Sequence, residues 1–139
     1  GFLSPYAQQV TIIPAGDDVH ELFGWAMPGF RKFSVSHSFF TWIIDAISPK
    51  TEYRIDARLL GGRRAIIMSN EYDRVLPMDI LPEFLIKAVL AFDIDKMENL
   101  GIYEVAPEDF ALCEFVDTSK LEIQHIIRTG LDQLRKEMN

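Results

Sequence analysis

The spacing of apolar residues changes once along this chain, near Leu76-Pro77, and that change limits what it can fold into. From Met78 onward the apolar positions recur at helical intervals. Pro82 suits the first turn of a helix, where its missing N–H costs little, and Phe84, Leu85, Val89 and Phe92 fall on one stripe. Asp93 predicts the cap of a short helix running to Leu100, with Gly101 just past its end. Pro107-Glu108-Asp109 opens another, with proline and two acids where the helix dipole favours them. On that helix Phe110, Cys113 and Val116 recur as a core-facing stripe would. Ser119-Lys120-Leu121-Glu122 reads as a capping box that starts a long helix. Its Ile123, Ile126, Ile127, Leu131, Leu134 and Met138 make one buried face, and Arg128, Arg135 and Lys136 lie toward its C-terminal half, the end that favours cations.

Before the change the pattern is shorter and closer to period two. Gln9-Val10-Thr11-Ile12-Ile13 and Glu21-Leu22-Phe23-Gly24-Trp25 read as short extended pieces, and Phe33-Ser34-Val35-Ser36 alternates as a half-buried strand does. Gly24, Pro28 and Gly29 make the aromatic stretch between them a loop. Ser38 to Ser48 leans toward helix. Tyr53-Arg54-Ile55-Asp56 and Ala65-Ile66-Ile67-Met68 read as a hairpin, because Gly61-Gly62 can supply a tight turn. The expected fold class is therefore α+β: a β-rich segment over residues 1–76, then a small helical domain over 77–139.

Several function classes are excluded before any motif is considered. The chain of 139 residues carries a formal net charge of −7, whereas phosphate backbones need a concentrated basic face. Its longest basic cluster is Arg63-Arg64, so nucleic acid is not an expected partner. The richest apolar run, Phe39 to Ile44, stops at Asp45, far short of the roughly 18 residues that a membrane span needs. One cysteine forms no internal disulfide, and a cytosolic setting is the default. The abrupt start at Gly1-Phe2-Leu3 reads as a piece of a longer protein.

No catalytic set is expected. His20, His37 and His125 are dispersed and show no metal-ligand spacing. Asp93-Ile94-Asp95 begins like a calcium loop, but Met97 and Glu98 stand where a ligand and the turn glycine belong. Ser34, Ser36, His37 and Ser38 are neighbours without a nucleophile elbow, and no phosphate-binding glycine motif is present. Cys113 alone cannot hold an iron–sulfur cluster, which takes four ligands, and reads as a small buried hydrophobe. Trp25, Met27, Phe30 and Phe33, with Phe39, Phe40 and Trp42, form a dense aromatic region. It can be a local core, a partner-covered surface or the lining of an apolar ligand pocket.

The segments "QQVTIIPAG", "ELFGWAMPGFRKFSVSHSF", "GGRRAIIMSNEYDRVLPMDILPEFLIKAVLAFDIDKMENLG" and "PEDFALCEFVDTSKLEI" together cover nearly the whole chain. In them the chain resembles the C-terminal part of the NqrA proteins, the A subunits of the Na⁺-translocating NADH:quinone oxidoreductases. "RVLPMDIL" and "EDFALCEFV" carry the resemblance most specifically. It implies a peripheral subunit on the cytoplasmic face of the bacterial inner membrane, docked on the membrane subunits of the complex. That complex passes electrons from NADH through flavins and iron–sulfur centres in other subunits to ubiquinone, and exports Na⁺. For this stretch the resemblance implies no cofactor of its own, no metal and no catalytic residue. It also implies that the stretch begins near the end of a β-grasp-like region and finishes with a helical domain. NqrA has been connected with quinone, and Trp25, Phe30 and Phe33 are the residues here that could belong to a quinone or partner surface.

The family is similar in turn to the C subunit of Rnf complexes, whose matching helical region binds clusters through cysteine runs. NqrA proteins keep a relic, Cys-x-x-x-Cys-Pro-x-Lys. Cys113 and Lys120 match that relic, while Asp117 and Thr118 stand where its second cysteine and proline would be. A carboxylate is a poor substitute for a thiolate on such a cluster, so the resemblance leaves Cys113 a remnant with a packing role.

Overall fold

A computed structural model of the chain describes residues 10–17, 26, 29, 32–48, 52–53 and 55–138. By its internal contacts the chain divides into two units, Gly1–Leu60 and Gly61–Asn139.

Every regular element among the described residues is helical. In the first unit this is α1, Thr41–Ile47, in the stretch where the apolar residues leaned toward helix. Phe39 and Thr41 are buried at its start, and the Thr41 hydroxyl donates to the Lys32 carbonyl at 2.8 Å. The β-rich reading of residues 1–76 is overturned, because no strand occurs among the described residues. Phe33–Ser36 is not extended but runs into a turn at Val35-Ser36, closed by a chain of hydroxyls from Ser34 through Ser36 to Ser38. The described part of the first predicted strand, Val10 to Ile13, is irregular, and Glu21–Trp25 lies outside the described residues. The expected hairpin is not found among the described residues either. Ala57 donates to the Pro14 carbonyl at 2.9 Å, whereas Arg64, on the far side of the two glycines, donates to the Ser119 carbonyl at 2.8 Å. Alternation over four residues supplies one half of a ladder and no partner. An isolated two-stranded hairpin is marginal in water, so competing partners decide.

The second unit is a bundle of short helices. It comprises a 3₁₀ turn at Tyr72–Arg74, α2 (Pro82–Ala91), α3 (Ile94–Asn99), 3₁₀ turns at Ile102–Glu104 and Pro107–Phe110, α4 (Ala111–Val116) and α5 (Ile123–Glu137). The expected punctuation is found. Pro82 opens α2, and the Asp93 carboxylate accepts the Lys96 amide at 3.1 Å to cap α3. Gly101, at φ 84°, follows the end of α3 in the left-handed region that glycine enters without penalty. The helix from Pro107 to Val116 starts as 3₁₀ and continues as α4, with the Asp109 carboxylate reaching back to the Ala106 amide.

The core gathers Leu85, Ile86 and Val89 of α2, Met97 of α3, and Ile123, Ile127 and Leu134 of α5 around Tyr72, Ile102, Phe110 and Cys113. Three expected core positions differ. On α2 the buried arc is centred between Leu85 and Val89, leaving Phe84 at its edge and exposed, while Phe92 sits in the left-handed turn that ends the helix and faces solvent. Met138, past the last turn of α5, is exposed as well.

Gly130 lets α5 approach α2 closely. A Cβ there would stand 2.9 Å from Val89 Cγ1 and 3.0 Å from Cγ2, and the branched valine has little rotamer freedom in a helix. We therefore expect Gly130→Leu to destabilise the chain by about 1–3 kcal/mol in urea titrations. The pair Gly130→Ala and Val89→Ala should be less destabilising than the sum of its singles, because each relieves the misfit left by the other.

Candidate functional site

The cluster-like segment and its surroundings hold the densest polar chemistry of the second unit. Cys113 has no exposed surface. Burial pushes its thiol up from 9.0 to about 11, and the nearby Asp73 charge acts in the same direction. The thiolate is the form that binds metal or attacks, so this environment makes the group inert. Among the described residues no group of three or more His, Cys, Asp or Glu side chains could hold a metal ion.

Asp117, four positions on, is 1% exposed and its oxygens are occupied. Oδ1 accepts the Tyr72 hydroxyl at 2.8 Å and the Ser119 amide at 2.8 Å, and Oδ2 accepts the Leu121 amide at 2.7 Å. A carboxylate so used organises a loop rather than a ligand. Tyr72 is held well above the ordinary phenol range, first by burial and then by its bond to Asp117. Beside them, Glu71 Oε2 accepts both the amide and the hydroxyl of Thr118, at 3.4 and 3.2 Å.

The expected capping box does not form. α5 begins at Ile123, Glu122 precedes it without a side-chain cap, and Glu122 pairs with Arg63 instead. Ser119 is buried, and its hydroxyl donates to the Ala65 carbonyl at 3.1 Å. The first turn of α5 is served by Glu114, whose carboxylate accepts the Gln124 amide at 2.9 Å. The Asp117 role was missed by sequence reasoning, although a local signal existed. Aspartate commonly accepts the backbone amide two residues on, which is the Ser119 contact found here.

Of the expected quinone or partner surface, Trp25 and Phe30 lie outside the described residues. Phe33 is exposed, with its ring centroid 5.9 Å from that of Tyr53. Phe39 is buried, Phe40 and Trp42 are exposed, and Trp42 meets His37 edge-on at 6.3 Å.

The second unit also presents apolar side chains outward. Phe84 on α2 is 51% exposed, and Leu112 and Phe115 on α4 are 57% and 54% exposed. Leu112 and Phe115 are three residues apart on the face of α4 opposite Cys113, so one short helix is apolar on both sides.

These environments fix an alkaline response. A thiol whose folded pKa is raised contributes stability that is complete below its unfolded value and is lost as pH climbs through the folded one. Unfolding free energy should therefore fall between pH 9.0 and about 11 on account of Cys113, and Cys113→Ala should flatten that part of the curve. Tyr72 adds a further loss that begins above pH 10.0. Tyr72→Phe should remove this loss and cost about 1–3 kcal/mol at neutral pH, since Asp117 loses one donor. In native protein at pH 8 a thiol reagent should label Cys113 slowly, and in denaturant rapidly.

No protein-family model matches the chain. Curated relatives do. Over 136 residues the chain is 39% identical to the A subunit of the Na(+)-translocating NADH-quinone reductase of Shewanella frigidimarina, covering 98% of this chain and 30% of that protein. The corresponding A subunits of Rhodopirellula baltica and Haemophilus influenzae are each 38% identical, over 98% of this chain and 29% of their own lengths. The chain thus spans only about 30% of the length of these relatives. Homology along almost its whole length places the chain in the NqrA family, the A subunits of the Na⁺-translocating NADH-quinone reductases, as a C-terminal part of such a protein.

Proposed function

We propose that this stretch of NqrA is an assembly domain of the NADH:quinone reductase. On this reading it is a peripheral part of an enzyme complex that oxidises NADH with ubiquinone and exports Na⁺. It sits at the cytoplasmic face of the bacterial inner membrane against other subunits, the membrane subunits above all, and the flavins and iron–sulfur centres lie elsewhere in the complex. The observation that carries the reading is the outward apolar chemistry of α2 and α4. A helix that buries Cys113 on one side and exposes Leu112 and Phe115 on the other has a second face suited to protein rather than water. No helix among the described residues is long and apolar enough to cross a membrane, which fits attachment through protein contacts. The inert thiol and the thrice-bonded carboxylate of the cluster-like segment fit a part that supports the electron path without carrying it.

The test uses full-length NqrA carrying Phe84→Asp and Leu112→Asp together. Both positions are exposed, so the melting temperature of the free protein should stay within a few degrees of the parent. Recovery of the other subunits on purification should drop about tenfold, which corresponds to 1.4 kcal/mol of lost interface energy. Recovery at the parental level would overturn the assembly reading.

A further inference from the structure

Residues Gly61–Asn70 adopt neither helix nor strand and form the first piece of the second unit, directly after the seam at Leu60. They are fastened to the bundle at two places. Near the beginning, the Arg64 amide donates to the Ser119 carbonyl at 2.8 Å, the Ser119 hydroxyl donates to the Ala65 carbonyl at 3.1 Å, and Arg63 pairs with Glu122 at the surface. At the far end, Oε1 of the buried Glu83 accepts the Ser69 amide at 3.1 Å and the Asn70 amide at 2.8 Å. Between them only Ile66 packs against the core, while Ile67 and Met68 face outward.

We propose that Gly61–Asn70 is a releasable strap that opens as one piece from an otherwise folded bundle, with Ser119 and Glu83 as its two latches. The idea does not depend on the assembly reading. Three observations support it. The strap has few buried apolar contacts, the property of segments that open below the global unfolding energy. Both latches are single residues whose own positions are set by the bundle: Ser119 through its amide on Asp117, and Glu83 through the first turn of α2. The second oxygen of Glu83 is buried without a hydrogen-bond partner among the described residues, a cost of the closed state that opening to water removes. Release would free ten residues, up to about 33 Å of extended chain.

The test is amide hydrogen exchange, read residue by residue across this stretch, on full-length NqrA and its Ser119→Ala variant. Removing the Ser119 hydroxyl weakens that latch, although its carbonyl still accepts the Arg64 amide, and should speed exchange of the Arg64, Ser69 and Asn70 amides together, by roughly tenfold. Amides within α2 and α5, such as those of Val89 and Ile127, should keep parental rates. Glu83→Gln, which retains an acceptor and loses the charge, should give the same pattern from the other end. Acceleration confined to Arg64 would mean two independent contacts and would overturn the strap. So would equal acceleration in α2 and α5, or no change in either variant.

Discussion

The buried carboxylate of Asp117 is the interaction on which the second unit depends. An ionised carboxylate removed from water is costly unless hydrogen bonds replace its hydration. Here three donors do so, and they come from different places in the chain. Ser119 and Leu121 are local, and bending the backbone to aim both amides at one side chain accompanies Lys120 at φ 57°, a conformation that L-residues seldom take. Tyr72 comes from 45 residues earlier and brings the 3₁₀ turn Tyr72–Arg74 onto the loop before α5. One side chain thus shapes the connection between α4 and α5 and ties the start of the bundle to its end.

Packing follows from that arrangement. With the loop fixed, α5 enters the core through Ile123 and Ile127, and its Gly130 admits the Val89 side chain of α2. Met97 of α3 reaches the same place, with its sulfur 3.6 Å from where a Cβ on Gly130 would sit. Three helices meet at a residue with no side chain. The absence of a Cβ permits the approach, and the stiff branched Val89 makes it specific.

How much of this could be read from sequence depended on the range of the interaction. Pro82, Asp93 and Gly101 act within one turn of their own position, and each was found where its local chemistry placed it. The buried faces of α4 and α5 followed from period 3.6 for the same reason. The strands failed because a strand is defined by a partner, and nothing in Ala65-Ile66-Ile67-Met68 says that the nearby donors will serve Ser119 rather than Tyr53 to Asp56. Ser119 failed in the opposite direction. Its spacing to Glu122 fits a capping box, but a hydroxyl 54 positions away from Ala65 in sequence found that carbonyl instead. Of the aromatic surface, only Phe33 among Trp25, Phe30 and Phe33 falls within the described residues, so its reading gained little.

The cluster-like segment shows how one spacing can serve two chemistries. A cluster loop needs thiolates, which form where positive charge or metal lowers the thiol pKa. Around Cys113 both burial and the Asp73 charge act the other way, so the sulfur is kept protonated and works as core volume. A loop that wraps a cluster also needs something at its centre to hold its backbone in a tight curve. Asp117 supplies that centre from within, gathering the Ser119 and Leu121 amides with its own oxygens. A carboxylate at this position therefore holds the loop by itself, because it satisfies the amides while Tyr72 balances its burial. Three donors already hold its two oxygens in place, and the segment is committed to structure.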